Sequence, residues 1–235
     1  MMVINITNLK NIATKFGCKF VENASMKDYT TFRTGGTCPL LISPNSVSAL
    51  SEILKICKNS STPYTVLGNG SNVLVSDDGI DGVVIHIADD LNKITLLDET
   101  TIFCEAGVKL GTLCNFALEN SLAGLEFAFG IPGSVGGAVY MNAGAYKREM
   151  ADILKEVLVL DVKTNVPLIS LQPFSVDKSP KRPYPRAEIP IIISKITRAN
   201  LPLLFLSFNS IFCTGLTGGV FNLFVVRPIL YYHKD

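Results

Sequence analysis

Histidine is nearly absent from this chain. The 235 residues hold two, His86 and His233, and neither has a companion at ligand spacing, so no metal site is expected. The six cysteines, Cys18, Cys38, Cys57, Cys104, Cys114 and Cys213, form no CxxC pair. No continuous apolar core lies within Met1–Lys19, so no export signal is expected. Buried, free thiols in a reducing cytoplasmic compartment are therefore expected. An excess of one charge is missing as well. Lys and Arg number 21 and Asp and Glu 20, a net of +1, which gives no steering toward nucleic acid. The carboxylates at Asp77, Asp78 and Asp81 lack EF-hand spacing and a Glu at the twelfth position, and read as a solvated turn.

Glycine is what the chain has, and where it matters. Gly124, Gly130, Gly133, Gly136, Gly137 and Gly144 fall within 124–146, among apolar or small residues, with Glu126 the only charge. A solvated linker would be rich in Ser, Lys and Glu instead. Glycine lets the backbone approach a ligand with no Cβ in the way, and Pro132 fixes one φ. This stretch reads as a shaped loop presenting main-chain N–H groups to a flat or anionic ligand; a glycine-rich crossover between strands is the plainer alternative.

Taken in order, residues 4–16 suit an amphipathic helix. Tyr29–Gly36 suits a turn into a strand at 40–42, with Arg33 fit either to meet a phosphate or to tie down the loop. Apolar residues at Val47, Leu50, Leu54 and Cys57 predict a helix over 46–58. A strand at 64–67 completes a βαβ unit. Gly68-Asn69-Gly70-Ser71-Asn72 follows at that strand's carboxyl end. It suits an anion nest or an Asn-Gly turn, and is neither a P-loop nor the dinucleotide fingerprint. Strands are expected at 73–75, 83–87, 93–97, 101–105 and 155–162, and a helix at 109–120, with His86 a strand residue and not a base.

Three motifs then stand in order: Thr31-Phe-Arg-Thr-Gly-Gly36; Leu67-Gly-Asn-Gly-Ser-Asn72 with Asp78-Gly-x-x-Gly82; and Gly124-Leu-Glu126 through Gly130-Ile-Pro-Gly-Ser-Val-Gly-Gly-Ala138 to Met141-Asn-Ala-Gly-Ala-Tyr146. Together they resemble the UDP-N-acetylenolpyruvoylglucosamine reductases (UDP-N-acetylmuramate dehydrogenases), flavoenzymes of peptidoglycan precursor synthesis, over roughly residues 1–175. The resemblance implies an α+β FAD-binding fold of the vanillyl-alcohol-oxidase (PCMH) type, with two α/β subdomains at about 1–90 and 91–175. It implies that Gly68, Asn69, Gly70, Ser71 and Asn72 hold the FAD pyrophosphate. Gly130, Ile131, Pro132, Gly133, Ser134, Gly136 and Gly137, with Asn142, Ala143, Gly144 and Ala145, would line the flavin. NADPH would reduce FAD and a UDP-sugar enolpyruvate would take the hydride. A cytoplasmic monomer is expected.

The pattern then breaks. In the family an aromatic residue precedes Tyr-Arg-x-Ser, whose arginine is catalytic; here Phe174-Ser-Val-Asp-Lys-Ser179 stands in that place. The family's serine proton donor and distal glutamate find no counterpart, so no catalytic residue is assigned and the family substrate domain is expected to be missing. A catalytically impaired reductase is expected, with a non-catalytic FAD-binding fragment or another flavin oxidoreductase of the same fold as alternatives. Lys147-Arg148 replaces the family's usual glycine at a turn expected to be exposed. Residues 1–175 hold 13 Lys/Arg against 17 Asp/Glu, whereas 176–235 hold 8 against 3. Residues 180–190 carry four prolines, and 199–226 no charge at all. A shifted reading frame or truncation is the first reading of 176–235, a divergent tail the second, a membrane anchor the third. Residues 176–235 are not expected to pack as a native domain on the flavin fold.

Overall fold

The computed structural model describes residues 6–88, 90–161, 166–170 and 189–193. Helix α1 (Ile6–Phe16) leads into strand β1 (Lys19–Ser25), β2 (Thr37–Ser43), helix α2 (Val47–Asn59), β3 (Tyr64–Leu67) and β4 (Val83–His86). These strands form a sheet in the order β1-β2-β4-β3. β1 runs antiparallel to β2, while β2 and β3 both run parallel to β4. The expected βαβ unit is present, and β4 slots between its two strands.

The central strands β2 and β4 are buried on both faces, which is why they read as apolar runs without clean alternation. Leu40, Ile42, Val83 and Ile85 pack under Ile53 and Leu54 of α2 and Leu9 of α1. Leu41 and Val84 point the other way, onto Met26, Leu67 and Val75. Each such Leu or Ile removed from water contributes about 1.5–3 kcal/mol. Ser46 starts α2 by accepting a hydrogen bond from the Ala49 amide at 3.2 Å.

A second set of elements follows: β5 (Ile94–Leu96), β6 (Ile102–Glu105), α3 (Leu110–Glu119), α4 (Val135–Tyr140), β7 (Gly144–Ala145), β8 (Arg148–Glu149), β9 (Leu154–Asp161), β10 (Val166–Ser170) and β11 (Ile189–Ile193). The sheet order is β10-β9-β11-β6-β5, and β7 with β8 makes a separate hairpin. Its core joins Ile102, Leu110, Leu113, Phe127, Val135 and Met150.

Several elements differ from the sequence reading. β1 was not expected, because most of its residues are exposed at a sheet edge and leave no apolar pattern. Val73–Val75 is not a strand: Val75 turns in against Gly35, and Gly36 donates to the Ser76 carbonyl at 2.8 Å, so this segment pairs with the Thr31–Gly36 motif. α4 begins inside what reads as an irregular glycine loop. β11 comes from the stretch assigned to the tail and runs parallel to both β9 and β6, so at these five residues the chain does join the second sheet. Its isoleucines are strand formers, and Pro190, which has no N–H to donate, falls at a register shift in the pairing with β9. The other readings of 176–235, and the charge-free run 199–226, lie outside the described residues. Among the described residues no helix is long and apolar enough to cross a membrane.

Cys18, Cys38, Cys57, Cys104 and Cys114 are free and buried, as expected; Cys213 lies outside the described residues. Loss of solvation pushes the Cys57 and Cys104 thiols up to about 12 and Cys114 to about 11, so all three stay protonated and unreactive at neutral pH.

Candidate cofactor site

The two glycine loops meet. Ser71 Oγ donates to the Pro132 carbonyl at 2.5 Å, across 61 residues of sequence. Gly68 lies against the Ser134 side chain, and a methyl placed on Gly133 would reach Ser71 Oγ at 3.4 Å. The Thr31 amide donates to the Gly70 carbonyl at 3.0 Å, so the first motif joins the other two. All three motif segments therefore form one wall, at the carboxyl end of β3 where the parallel strands stop.

Secondary structure fixes each segment. β3 pairs Leu67 with His86, so the 68–72 loop leaves the sheet beside the end of β4. His86 is not placed as a base. Its ring meets Tyr29 edge-on at 5.3 Å between centroids and its Nδ1 lies 3.5 Å from Ser43 Oγ, which props the loop around Tyr29 against the strand ends. His86 is a strand residue as expected, and what sequence reasoning missed is its contact with Tyr29, which carries no local signal. The 130–137 loop is stitched to the segment after β6. Leu110 donates to the Gly133 carbonyl at 3.0 Å, Val135 to Val108 at 2.7 Å and Gly136 to Ala106 at 2.8 Å. Ser134 is 3% exposed and accepts from Gly137 at 3.3 Å to start α4.

The expected site residues thus fall into two groups. Asn69 and Gly130 are exposed; Gly68, Ser71, Asn72, Ile131 and Gly133 are half-buried. Among the described residues the amides of Asn69, Gly70, Ser71 and Asn72 donate no hydrogen bond, and nothing lies within 4 Å of a Cβ added at Gly130. Asn69, Ser71, Asn72 and Gly130 are open to a ligand, whereas Gly70 is itself buried against the Tyr29 backbone. Gly136, Gly137 and Ser134 instead have their polar groups committed to the fold. So does the turn after α4, where Asn142 Oδ1 accepts from Ala151 at 2.9 Å and the Ala143 carbonyl from Met150 at 3.0 Å. Gly144 and Ala145 form β7.

Large apolar side chains border the loops and remain in water: Phe129 at 63%, Tyr140 at 60%, Phe32 at 50% and Leu74 at 43% exposure. A row of unused amides next to exposed apolar rings fits a ligand that is anionic at one end and flat at the other. FAD is such a molecule. Arg33, in the exposed first motif, has a positive φ of 53° and stands two residues from the Thr31 contact to Gly70.

The Tyr146-Lys147 turn joins β7 to β8 with φ of 52° and 63°. Two positive φ values define the hairpin turn that favours Asn-Gly, and a β-carbon there costs about 1–2 kcal/mol. Replacing Lys147 by glycine should therefore raise stability by roughly 0.5–1 kcal/mol, read as a higher midpoint in urea unfolding; a lowered midpoint would contradict the strain. Arg148, expected at an exposed turn, is instead mostly buried, its side chain 19% exposed.

A family model described as an FAD binding domain matches residues 39–166. The UDP-N-acetylenolpyruvoylglucosamine reductase of Clostridium novyi is 45% identical over 158 residues, covering 67% of this chain and 50% of that protein. The protein of the same name from Clostridioides difficile is 43% identical over 159 residues, covering 68% and 51%. The chain thus spans about half the length of the curated relatives it matches. Among solved structures, the UDP-N-acetylenolpyruvylglucosamine reductase of Thermus caldophilus superposes with a TM-score of 0.53 at 36% identity, over 66% of this chain and 52% of that one. The D396N variant of BBE-like 1 from Physcomitrella patens gives 0.51 at 19% identity over 69% and 37%, a likeness of fold alone.

Proposed function

This chain belongs to the FAD binding domain family, and on that premise we propose that it is the FAD-binding part of a UDP-N-acetylenolpyruvoylglucosamine reductase. The observation that carries the reading is the Ser71–Pro132 contact, which closes the two glycine loops into one surface. Gly68–Asn72 takes the pyrophosphate through main-chain amides, with the carboxamides of Asn69 and Asn72 as further donors. Gly130 gives the open end of the edge that faces the flavin ring, Ser134–Gly137 anchors that loop to the fold, and Asn142–Ala145 makes a second wall. Bound FAD supplies hydride transfer, with NADPH as reductant and the UDP-sugar enolpyruvate as acceptor. The chain's own residues bind and orient the cofactor and exclude water from one of its faces.

The proton donor and the groups that stabilise the developing enolate are not assigned. Val176-Asp177 stands where the family has Tyr-Arg, and this favours a second reading as a non-catalytic FAD-binding fragment. Domains at 1–175 and 176–235, with residues 189–193 of the latter joining the second sheet, a cytoplasmic location and a monomeric state belong to the proposal. Purified chain loaded with FAD separates the readings when NADPH is added without oxygen. A yellow protein that keeps its visible flavin band supports the fragment; prompt bleaching supports a working reductive half-reaction.

A further inference from the structure

The turn proposed to face the flavin is held from behind by one side chain that the function has not used. Ala145 pairs with Arg148 and Gly144 with Glu149, so Asn142–Ala145 can shift only with β8. Arg148 Nε donates to Asp152 Oδ2 at 3.2 Å, and the same oxygen accepts the Glu149 amide at 3.1 Å. Asp152 ends the short helical turn Met150–Asp152, whose Met150 is fully buried and whose Met150 and Ala151 amides bond back to Ala143 and Asn142. β7 and β8 both contact the turn Glu126–Ala128, which runs straight into Phe129 and Gly130. The strand that carries Arg148 therefore packs against both the Asn142–Ala145 turn and the turn that leads into the Gly130 loop. Its side chain is 19% exposed and its Nη2 is buried with no partner among the described residues. Placing a guanidinium there is unfavourable by itself, since a buried donor without an acceptor loses its hydration. What the arrangement gains is a fixed turn.

We propose that Arg148, acting through Asp152, is a positioning residue that sets the Asn142–Ala145 turn against the bound cofactor. The proposal rests on the FAD reading and names a residue outside the shared motifs. The test uses the full chain with saturating FAD, comparing Arg148→Ala, Asp152→Asn and the double variant by visible circular dichroism of the bound flavin, FAD affinity and thermal midpoint. Asp152→Asn keeps an oxygen for the Glu149 amide while removing the charge, so it reads the pair even where Arg148→Ala folds poorly. Each single variant should change the flavin dichroism and weaken FAD binding about tenfold, and the double variant should add little to either. Lowered thermal midpoints with unchanged dichroism and affinity would make Arg148 a purely structural residue and overturn the proposal. Additive effects would overturn the coupling through Asp152. A folded wild-type chain that binds no FAD would overturn the functional reading itself, an outcome distinct from either.

Discussion

Replacing Gly70 by valine should abolish flavin retention and destabilise the chain at the same time. A phosphate approaching the glycine would account for lost retention alone. The structure adds a stronger reason. Gly70 has a φ of +64°, and a Cβ there would run into the backbone carbonyl of Tyr29. A β-branched residue in that conformation costs on the order of 1–3 kcal/mol before the contact with Tyr29 is counted. That contact can be relieved only by moving backbone, which also breaks the Thr31 amide bond to the Gly70 carbonyl. Gly130→Val is the matched comparison, because nothing lies within 4 Å of its added Cβ. It should keep the thermal midpoint of the parent and lose flavin only through contact with the ligand. A Gly70→Val chain with parental midpoint and full FAD after desalting would contradict the placement of the loop.

The second large effect is on turnover. The resemblance implies an arginine, a serine and a glutamate in the reduction of the enolpyruvyl group, and none has a counterpart in this sequence. Each missing proton source or charge-stabilising donor typically costs about a hundredfold or more. Oxidation of NADPH driven by the UDP-sugar enolpyruvate should therefore be orders of magnitude below that of a complete reductase measured alongside. Robust turnover by the 235-residue chain would contradict this and place the missing groups elsewhere in it.

The vanillyl-alcohol-oxidase type of FAD-binding fold was legible wherever local pattern and burial agree. Val47, Leu50, Leu54 and Cys57 marked α2, and the strand–helix–strand order around it gave the parallel unit. α4 was hidden because two of its six residues, Gly136 and Gly137, are poor helix formers. The helix stands because Ser134 caps it and Val135, Gly136 and Ala138 are buried. β1 was hidden because an exposed edge strand needs no apolar stripe.

For the site, composition and motif found both glycine loops but not what joins them. The Ser71–Pro132 bond and the Tyr29–His86 contact bring together residues 61 and 57 positions apart, and no local pattern encodes such pairs. Nor did the sequence separate glycines that face a ligand from those crowded by backbone. Gly130 and Gly70 look alike in a motif, and only the packing around them differs.

The most direct measurement is a titration of the purified 235-residue chain with FAD, followed by quenching of flavin fluorescence. The two loops, closed on each other by Ser71 and Pro132, predict saturable binding at one FAD per chain, lost in Gly130→Val with the fold retained. A folded chain, with parental circular dichroism in the far ultraviolet, that shows no saturable uptake of FAD would contradict it.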